Sequence, residues 1–293
     1  MNTFQGKDDD MRLMMFQDAS KERLGVVDGE DVVAVSGADV PTDLLGVIEG
    51  GAAAREAVQG AIGTGQRHRL GDVKPALPIA RPPKMICIGL NYALHAKEGG
   101  HDIPTYPSVF LRMTSSLIPA EANVIRPKVS EQLDYECELT IVIGKRGRHI
   151  SEADALGHVF GYTLFNDVSV RDYQRKTAQW TPGKNFDGTG PLGPVIVTAD
   201  ELPPGASGLR IMTRVNGKTM QDSNTSDMIF STQRIIAVLS EFMTLQPGDV
   251  IATGTPSGVA HARKPPAWMK AGDVVEVEVE GIGILRNSVV DEA

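Results

Sequence analysis

The chain has 293 residues, with 29 lysines and arginines against 37 aspartates and glutamates, for a formal charge of −8. Nucleic acid and anionic membrane faces are held by clustered positive charge, and the densest basic stretch, Lys145, Arg146, Arg148 and His149, is too short to offset that balance. Both partner classes are set aside in favour of small-molecule or protein partners, and 41% hydrophobic residues supply enough material for a sizeable core.

Residues 1–10 read as a disordered extension ending in Asp8, Asp9 and Asp10, the reverse of a basic region leading into an apolar secretion signal. Residues 11–70 read as a small N-terminal α+β domain. Strand patterns over Arg12 to Phe16, Arg23 to Val27 and Asp31 to Val35 are followed by a helical pattern from Pro41 to Gly60. Pro75, Pro78, Pro82 and Pro83 remove backbone donors, which predicts a linker over residues 71–83. From 84 to 293, short strands separated by glycine and proline dominate, including Met85 to Gly89, Glu136 to Gly144, Tyr162 to Asn166, Val195 to Thr198, Arg210 to Val215, Val250 to Thr253 and Asp273 to Glu280. The fold class that follows is α+β, mainly β. The clearest helix runs from about Thr232 to Leu245, with Ser231 as its cap and Pro247-Gly248 as its stop. A shorter helix is predicted over Ser151 to Leu156. No apolar run approaches the roughly 18 residues that span a bilayer, and Cys87 and Cys137 form neither a disulfide framework nor a metal-ligand spacing. These features predict a cytoplasmic protein without membrane contact.

The segment Asp134-Tyr135-Glu136-Cys137-Glu138 leads into the β-branched run Leu139 to Ile143. Alternate side chains of a strand share a face, so Asp134, Glu136 and Glu138 point the same way, and Glu136 and Glu138 are close enough to converge on one hard divalent cation. The competing reading is a solvated strand face, as in Glu276-Val277-Glu278-Val279-Glu280. Asp167, at the end of the strand-like Tyr162 to Asn166, is either a third ligand or a turn residue. In Gly89-Leu90-Asn91-Tyr92-Ala93-Leu94-His95-Ala96-Lys97-Glu98, a helical turn places His95 and Glu98 on one face, either as an oriented general base or as a surface pair. Gly188-Thr189-Gly190-Pro191-Leu192-Gly193 matches the dinucleotide fingerprint in letters only, because no strand leads into it and Pro191 blocks the cradle. Cys137 lies on the strand face opposite the two glutamates and packs inward.

In this order the pieces resemble the fumarylacetoacetate hydrolase family, from about Pro83 to Val290. The likeness rests on the segment at 89–98, on Glu136 and Glu138, on Asn166-Asp167, on Gly183-Lys184-Asn185-Phe186-Asp187, and on Gly254-Thr255-Pro256-Ser257-Gly258-Val259. The small N-terminal domain looks like that of bacterial two-domain members. The resemblance implies a mixed β-sandwich roll, a homodimer, a dioxo-acid substrate, and Mg²⁺, Mn²⁺ or Ca²⁺ as cofactor. It implies that Glu136, Glu138 and Asp167 are metal ligands. His95 and Glu98 become a water-activating dyad on a lid hinged near Gly99-Gly100, Lys184 a group near the reacting oxygen, and Arg171, Gln174 and Thr255 substrate contacts. The leading expectation is a hydrolase that cleaves an acylpyruvate to pyruvate and a carboxylic acid, within aromatic-compound or sugar-acid breakdown. The alternatives are an isomerase or decarboxylase of a 2-hydroxymuconate-like or oxaloacetate-like compound, and a non-catalytic metal-binding protein. Leu111-Arg112-Met113-Thr114 stands where related members have Lys-Pro, which is expected to alter the carboxylate-binding side of the pocket. His261 and Trp268 read as surface or interface packing, and His101 as lid surface.

Overall fold

Apolar side chains alternate along Cys137–Ile143 and Val159–Asn166, the two strands at the centre of this computed structural model, which describes residues 11–19 and 21–293. The expectation for residues 1–10 lies outside the described residues. Cys137, Leu139, Ile141 and Ile143 face one core, whereas Val142 faces another. That two-residue period is what a strand buried on both faces requires.

The central pair belongs to a large mixed sheet. Its strands lie in the order Gln66–Arg69, Asp31–Ala34, Lys21–Asp28, Arg12–Asp18, Gly190–Thr198, Val159–Asn166, Cys137–Ile143, Val250–Ala252, Met85–Gly89 and Ser108–Leu111. All neighbours on this path are antiparallel except Val250–Ala252 with Met85–Gly89. A five-stranded sheet runs Lys218–Asn224, Arg210–Val215, Val274–Val279, Gly283–Asp291 and Asn123–Arg126. Ile211, Val277, Val279 and Leu285 from it share a core with Leu139, Ile141, Tyr162 and Leu164, so the two sheets form a sandwich. The glutamates of Val274–Val279 stay on its outer side, where Arg214 pairs with both Glu276 and Glu278.

Among the described residues five α-helices decorate the sheets: α1 (Leu44–Ala61), α2 (Ala93–Glu98), α3 (Arg171–Gln174), α4 (Thr181–Lys184) and α5 (Thr232–Phe242). Helix α1 contributes Leu44, Val47, Ile48 and Val58 to the second core, together with Cys87, Val142, Phe165 and Ile196. Helix α5 starts where expected, with the Ser231 side chain accepting from the Arg234 amide, and ends at Phe242 because Met243 is extended. Over Ser151 to Leu156 the expected helix is replaced by a turn and a short 3-10 segment, Ala155–His158. Ser151 does cap that turn, but the chain enters strand Val159–Asn166 before a second helical turn can form. Among the described residues no helix is long and apolar enough to cross a membrane.

Candidate metal and acid–base site

Register brings the carboxylates together. Cys137 pairs with Asn166, which sets Glu136 opposite Asp167, and the Asp167 amide donates to the Glu136 carbonyl at 2.9 Å. Side chains directly across an antiparallel pair are neighbours, and Glu138 follows Glu136 by two residues on the same face. Glu136, Glu138 and Asp167 are all buried, and each offers an oxygen within 4.8 Å of the others. Glu136 and Glu138 thus converge as the strand period predicts and Asp167 joins them from the next strand, whereas Asp134, expected on the same face, is taken up by Arg171 and the Ala260 and His261 amides.

The three carboxylates have unequal surroundings. Burial would raise Glu136, but Arg171 and Lys184 overcome it and hold the carboxyl below the usual range. Lys184 Nζ lies 2.6 Å from both Glu136 Oε2 and Asp167 Oδ2. Burial alone would depress this ammonium, yet Asp167 and Glu136 push it above its ordinary value. Glu138 is displaced upward, by burial first and then by the charges of Asp167 and Glu136. The one hydrogen bond its carboxylate accepts among the described residues comes from the Gly254 amide, at 2.8 Å. Gly254 has φ of +96°, and a Cβ there would press on Asn91 and the Ile88 carbonyl, so glycine is what lets this amide reach the carboxylate. With Asp134 the neighbourhood holds four buried carboxylates against three buried cations, Arg112, Arg171 and Lys184, and among the described residues Glu138 is the one without a cationic partner; that shortfall fits a hard divalent ion, and the all-oxygen donor set suits Mg²⁺, Mn²⁺ or Ca²⁺.

Two buried guanidinium groups frame the cluster. Arg171 donates from Nε to Asp134 Oδ2 at 2.8 Å, from Nη1 to Gln174 Oε1 at 2.9 Å, and from Nη2 to Glu136. Arg112 lies behind Asp167, donating to its Oδ1, to the Val168 carbonyl and to Thr189 Oγ1. Arg112 is thus a support beneath a ligand, and neither it nor Leu111, Met113 or Thr114 is among the groups that line the cavity. Its partner Thr189 belongs to the glycine-rich stretch that mimics a dinucleotide fingerprint, and that stretch here opens strand Gly190–Thr198.

The cavity above the carboxylates measures about 220 Å³. His95 lines it from α2, with Nδ1 3.2 Å from Glu98 Oε2. Glu98 also accepts from the Gly258 amide at 2.9 and 3.1 Å, which fastens the end of α2 to the loop after Val250–Ala252. Asn91 anchors the start of this segment, donating to the Phe230 and Thr253 carbonyls and accepting from the Phe230 amide. Gln174 and Thr255 also line the cavity. The Gln174 oxygen serves Arg171 and Thr255 Oγ1 accepts from Gln221, so among the described residues the Gln174 NH₂ and the Thr255 hydroxyl proton have no hydrogen-bond partner. Phe110 and Trp180, edge to face at 5.5 Å, form the apolar wall.

The sites named from sequence, His95, Glu98, Glu136, Glu138, Asp167, Arg171, Gln174, Lys184 and Thr255, all meet here, with Glu98 reaching the cavity through His95. Two further groups were missed. Arg175 and His261 line the same cavity and touch each other, so His261 is not mere surface packing. His101 also lies on the wall, beside Gly99. The helical spacing of Arg171, Gln174 and Arg175 was a signal available for Arg175, whereas nothing local announces His261.

A family model described as fumarylacetoacetate (FAA) hydrolase, C-terminal, matches residues 84–290. The chain is 41% identical over 291 residues to a mitochondrial oxaloacetate tautomerase of Bos taurus, covering 96% of this chain and 92% of that protein. Among solved structures, a fumarylacetoacetate hydrolase from Exiguobacterium antarcticum superposes with a TM-score of 0.83 at 37% identity, covering 96% of this chain and all of that one. Maleylpyruvate hydrolase from Sphingobium sp. SYK-6 gives 0.80 at 31% identity, with 96% and 100% coverage.

Proposed function

The chain belongs to the fumarylacetoacetate hydrolase family, and from that premise we propose that it is a divalent-metal-dependent enzyme interconverting the enol and keto forms of a short 2-oxo acid of the oxaloacetate class. The observation that carries this reading is the opening of a buried three-carboxylate cluster and a carboxylate-oriented imidazole onto one small cavity. The likeness to an oxaloacetate tautomerase along nearly the whole chain supports the substrate class, where the sequence alone favoured hydrolysis of an acylpyruvate.

When bound by Glu136, Glu138 and Asp167, a divalent ion supplies positive charge that polarises the 2-oxo group. The protein's own groups do the rest. With Nδ1 engaged by Glu98, the Nε2 atom of His95 is left to deliver a proton to the carbon beside the 2-oxo group and, in reverse, to take it away. The proton delivered to carbon balances the one the enol hydroxyl gives up to solvent, and the Lys184 ammonium, beside Glu136 and Asp167 with one N–H beyond those it gives them, can stabilise the oxygen left negative. Thr255 and the Gln174 amide offer donors to the adjoining carboxylate. Phe110 and Trp180 shield one side from water.

Hydrolysis of an acylpyruvate is the second reading, favoured by the same His95–Glu98 pair, which is also the arrangement that activates water. The test follows enol absorbance of oxaloacetate with metal-stripped and Mg²⁺-loaded protein, with product identification. Metal-dependent acceleration of ketonisation, lost in His95→Ala while Mg²⁺ still binds, is expected. Pyruvate and an acid released from an acylpyruvate would move the assignment to hydrolysis, and carbon dioxide from oxaloacetate to decarboxylation.

A further inference from the structure

Charge is distributed unevenly around the cavity. Helix α3 and the residue after it place Arg171, Gln174 and Arg175 at i, i+3 and i+4, and all three line the cavity. Arg171 is charge-balanced by Asp134 and Glu136 and also donates to Gln174, and Lys184 is charge-balanced by Glu136 and Asp167. Arg175, at the mouth, has no carboxylate partner among the described residues. Its guanidinium donates from Nη2 to Nε2 of His261, and its remaining N–H groups are unspent.

The Arg175 side chain is nonetheless held. The His261 ring stacks on Trp268, with centroids 6.4 Å apart and planes 16° from parallel. The backbone amides of Ala260 and His261 donate to Asp134 at 2.7 and 3.0 Å, and the same carboxylate takes Nε of Arg171. Asp134 therefore ties the loop carrying His261 to the helix that leads into Arg175. The consequence is a cationic fork, tethered through His261, that lines the same small cavity as the carboxylate cluster.

We propose that Arg175, braced by His261, receives a second carboxylate of the substrate, so that the site selects 2-oxo dicarboxylic acids over 2-oxo acids ending in an uncharged group. This assignment rests on the 2-oxo acid reading above. A planar guanidinium matches a carboxylate in two-point hydrogen bonding, which a solvated lysine or a neutral donor does not reproduce. The orienting contact with His261 leaves one edge of the fork for the ligand.

The test is calorimetric binding of oxaloacetate and of 2-oxobutyrate, in which a methyl replaces the second carboxylate, to the full chain loaded with Mg²⁺. Wild type is expected to favour oxaloacetate. Arg175→Met should collapse the ratio of the two dissociation constants by about tenfold or more, the value of a charge-assisted hydrogen bond. His261→Val, which keeps the charge but removes its brace, should lower the ratio by less. Arg175→Gln serves as a second truncation, and matching thermal melts establish that the variants fold. A ratio unchanged in Arg175→Met, or both ligands weakened by one common factor, would overturn the assignment. Failure of the reaction reading is visible separately: a protein that binds both ligands yet accelerates no ketonisation loses that reading, while the ratio alone decides this one. Binding of neither ligand to wild type overturns both.

Discussion

Glu138 is buried, faces two like charges and receives a single amide, so the folded protein holds its carboxyl above the unfolded value. Such a group contributes stability that is fully present below the unfolded carboxylate range and is lost as pH rises through the raised value. Glu136 has the opposite sign, with stability present above that range and lost as pH falls through its depressed value. Metal-stripped protein should therefore melt at progressively lower temperature as pH rises past the carboxylate range and Glu138 ionises. Mg²⁺ should reverse the decline, adding about 2.7 kcal/mol at a hundredfold excess over its dissociation constant. Melting curves across pH, with and without Mg²⁺, read this directly, and in Glu138→Gln both the slope and the metal response should disappear. A flat profile, or a Mg²⁺ response independent of pH, would remove Glu138 from the ligand set. Arg112 offers a second test at this scale. It is buried against Asp167, and Arg112→Met strands that carboxylate beside an apolar chain. Breaking a buried pair from one side costs about 3–5 kcal/mol, so a large fall in the urea midpoint is expected, and a shift within experimental error would show that Lys184 alone satisfies Asp167.

At the scale of elements, the close approach of α3 and α4 fixes Lys184 against the carboxylates. A Cβ at Gly183 would stand against the backbone nitrogen and Cα of Gln174, which cannot retreat without moving Arg171. Gly183→Ala is expected to lower stability by about 1–3 kcal/mol through overpacking and to cut turnover although no titratable group has changed. Turnover at the wild-type level would mean that α4 tolerates the shift. The same elements separate what sequence reading reaches from what it does not. Glu136 and Glu138 were legible because a strand's two-residue period fixes their common face, and α5 because its apolar spacing and Ser231 cap are local signals. Asp167 was legible as a carboxylate at a strand end, but its place opposite Glu136 depends on the register of Cys137 with Asn166. Arg112 acts on a residue 55 positions away, and His261 on Arg175 across 86. No periodicity within a segment encodes either meeting. The Ser151 helix failed for a local reason: a good cap signals a start, and the nearby strand decides the length.

At the scale of the molecule, the first strands are continuous with the sheet that carries the site. Arg12–Asp18 pairs antiparallel with Gly190–Thr198, setting Leu13 beside Ile196 and Met14 beside Val195. Leu13, Met15, Leu44, Val47 and Ile48 share one core with Cys87, Val142, Phe165, Ile196 and Ala252, and Leu45 of α1 lies close to Gly248. Removing residues 1–83 would therefore uncover both an unpaired strand edge and an apolar sheet face. An edge of that kind is a template for pairing with another chain, and a contiguous apolar face adds to the hazard. Residues 84–293 expressed alone are expected to aggregate or to melt far below the full chain, although every proposed catalytic and ligand residue is retained. Solubility, sedimentation and thermal melting of the two proteins side by side give the answer. If 84–293 proved monodisperse and as stable as the full chain, the contacts of Leu13, Leu44, Val47 and Ile48 would be dispensable for the sheet that positions Glu136, Glu138 and Asp167, and residues 11–70 would have to be explained by a role other than support.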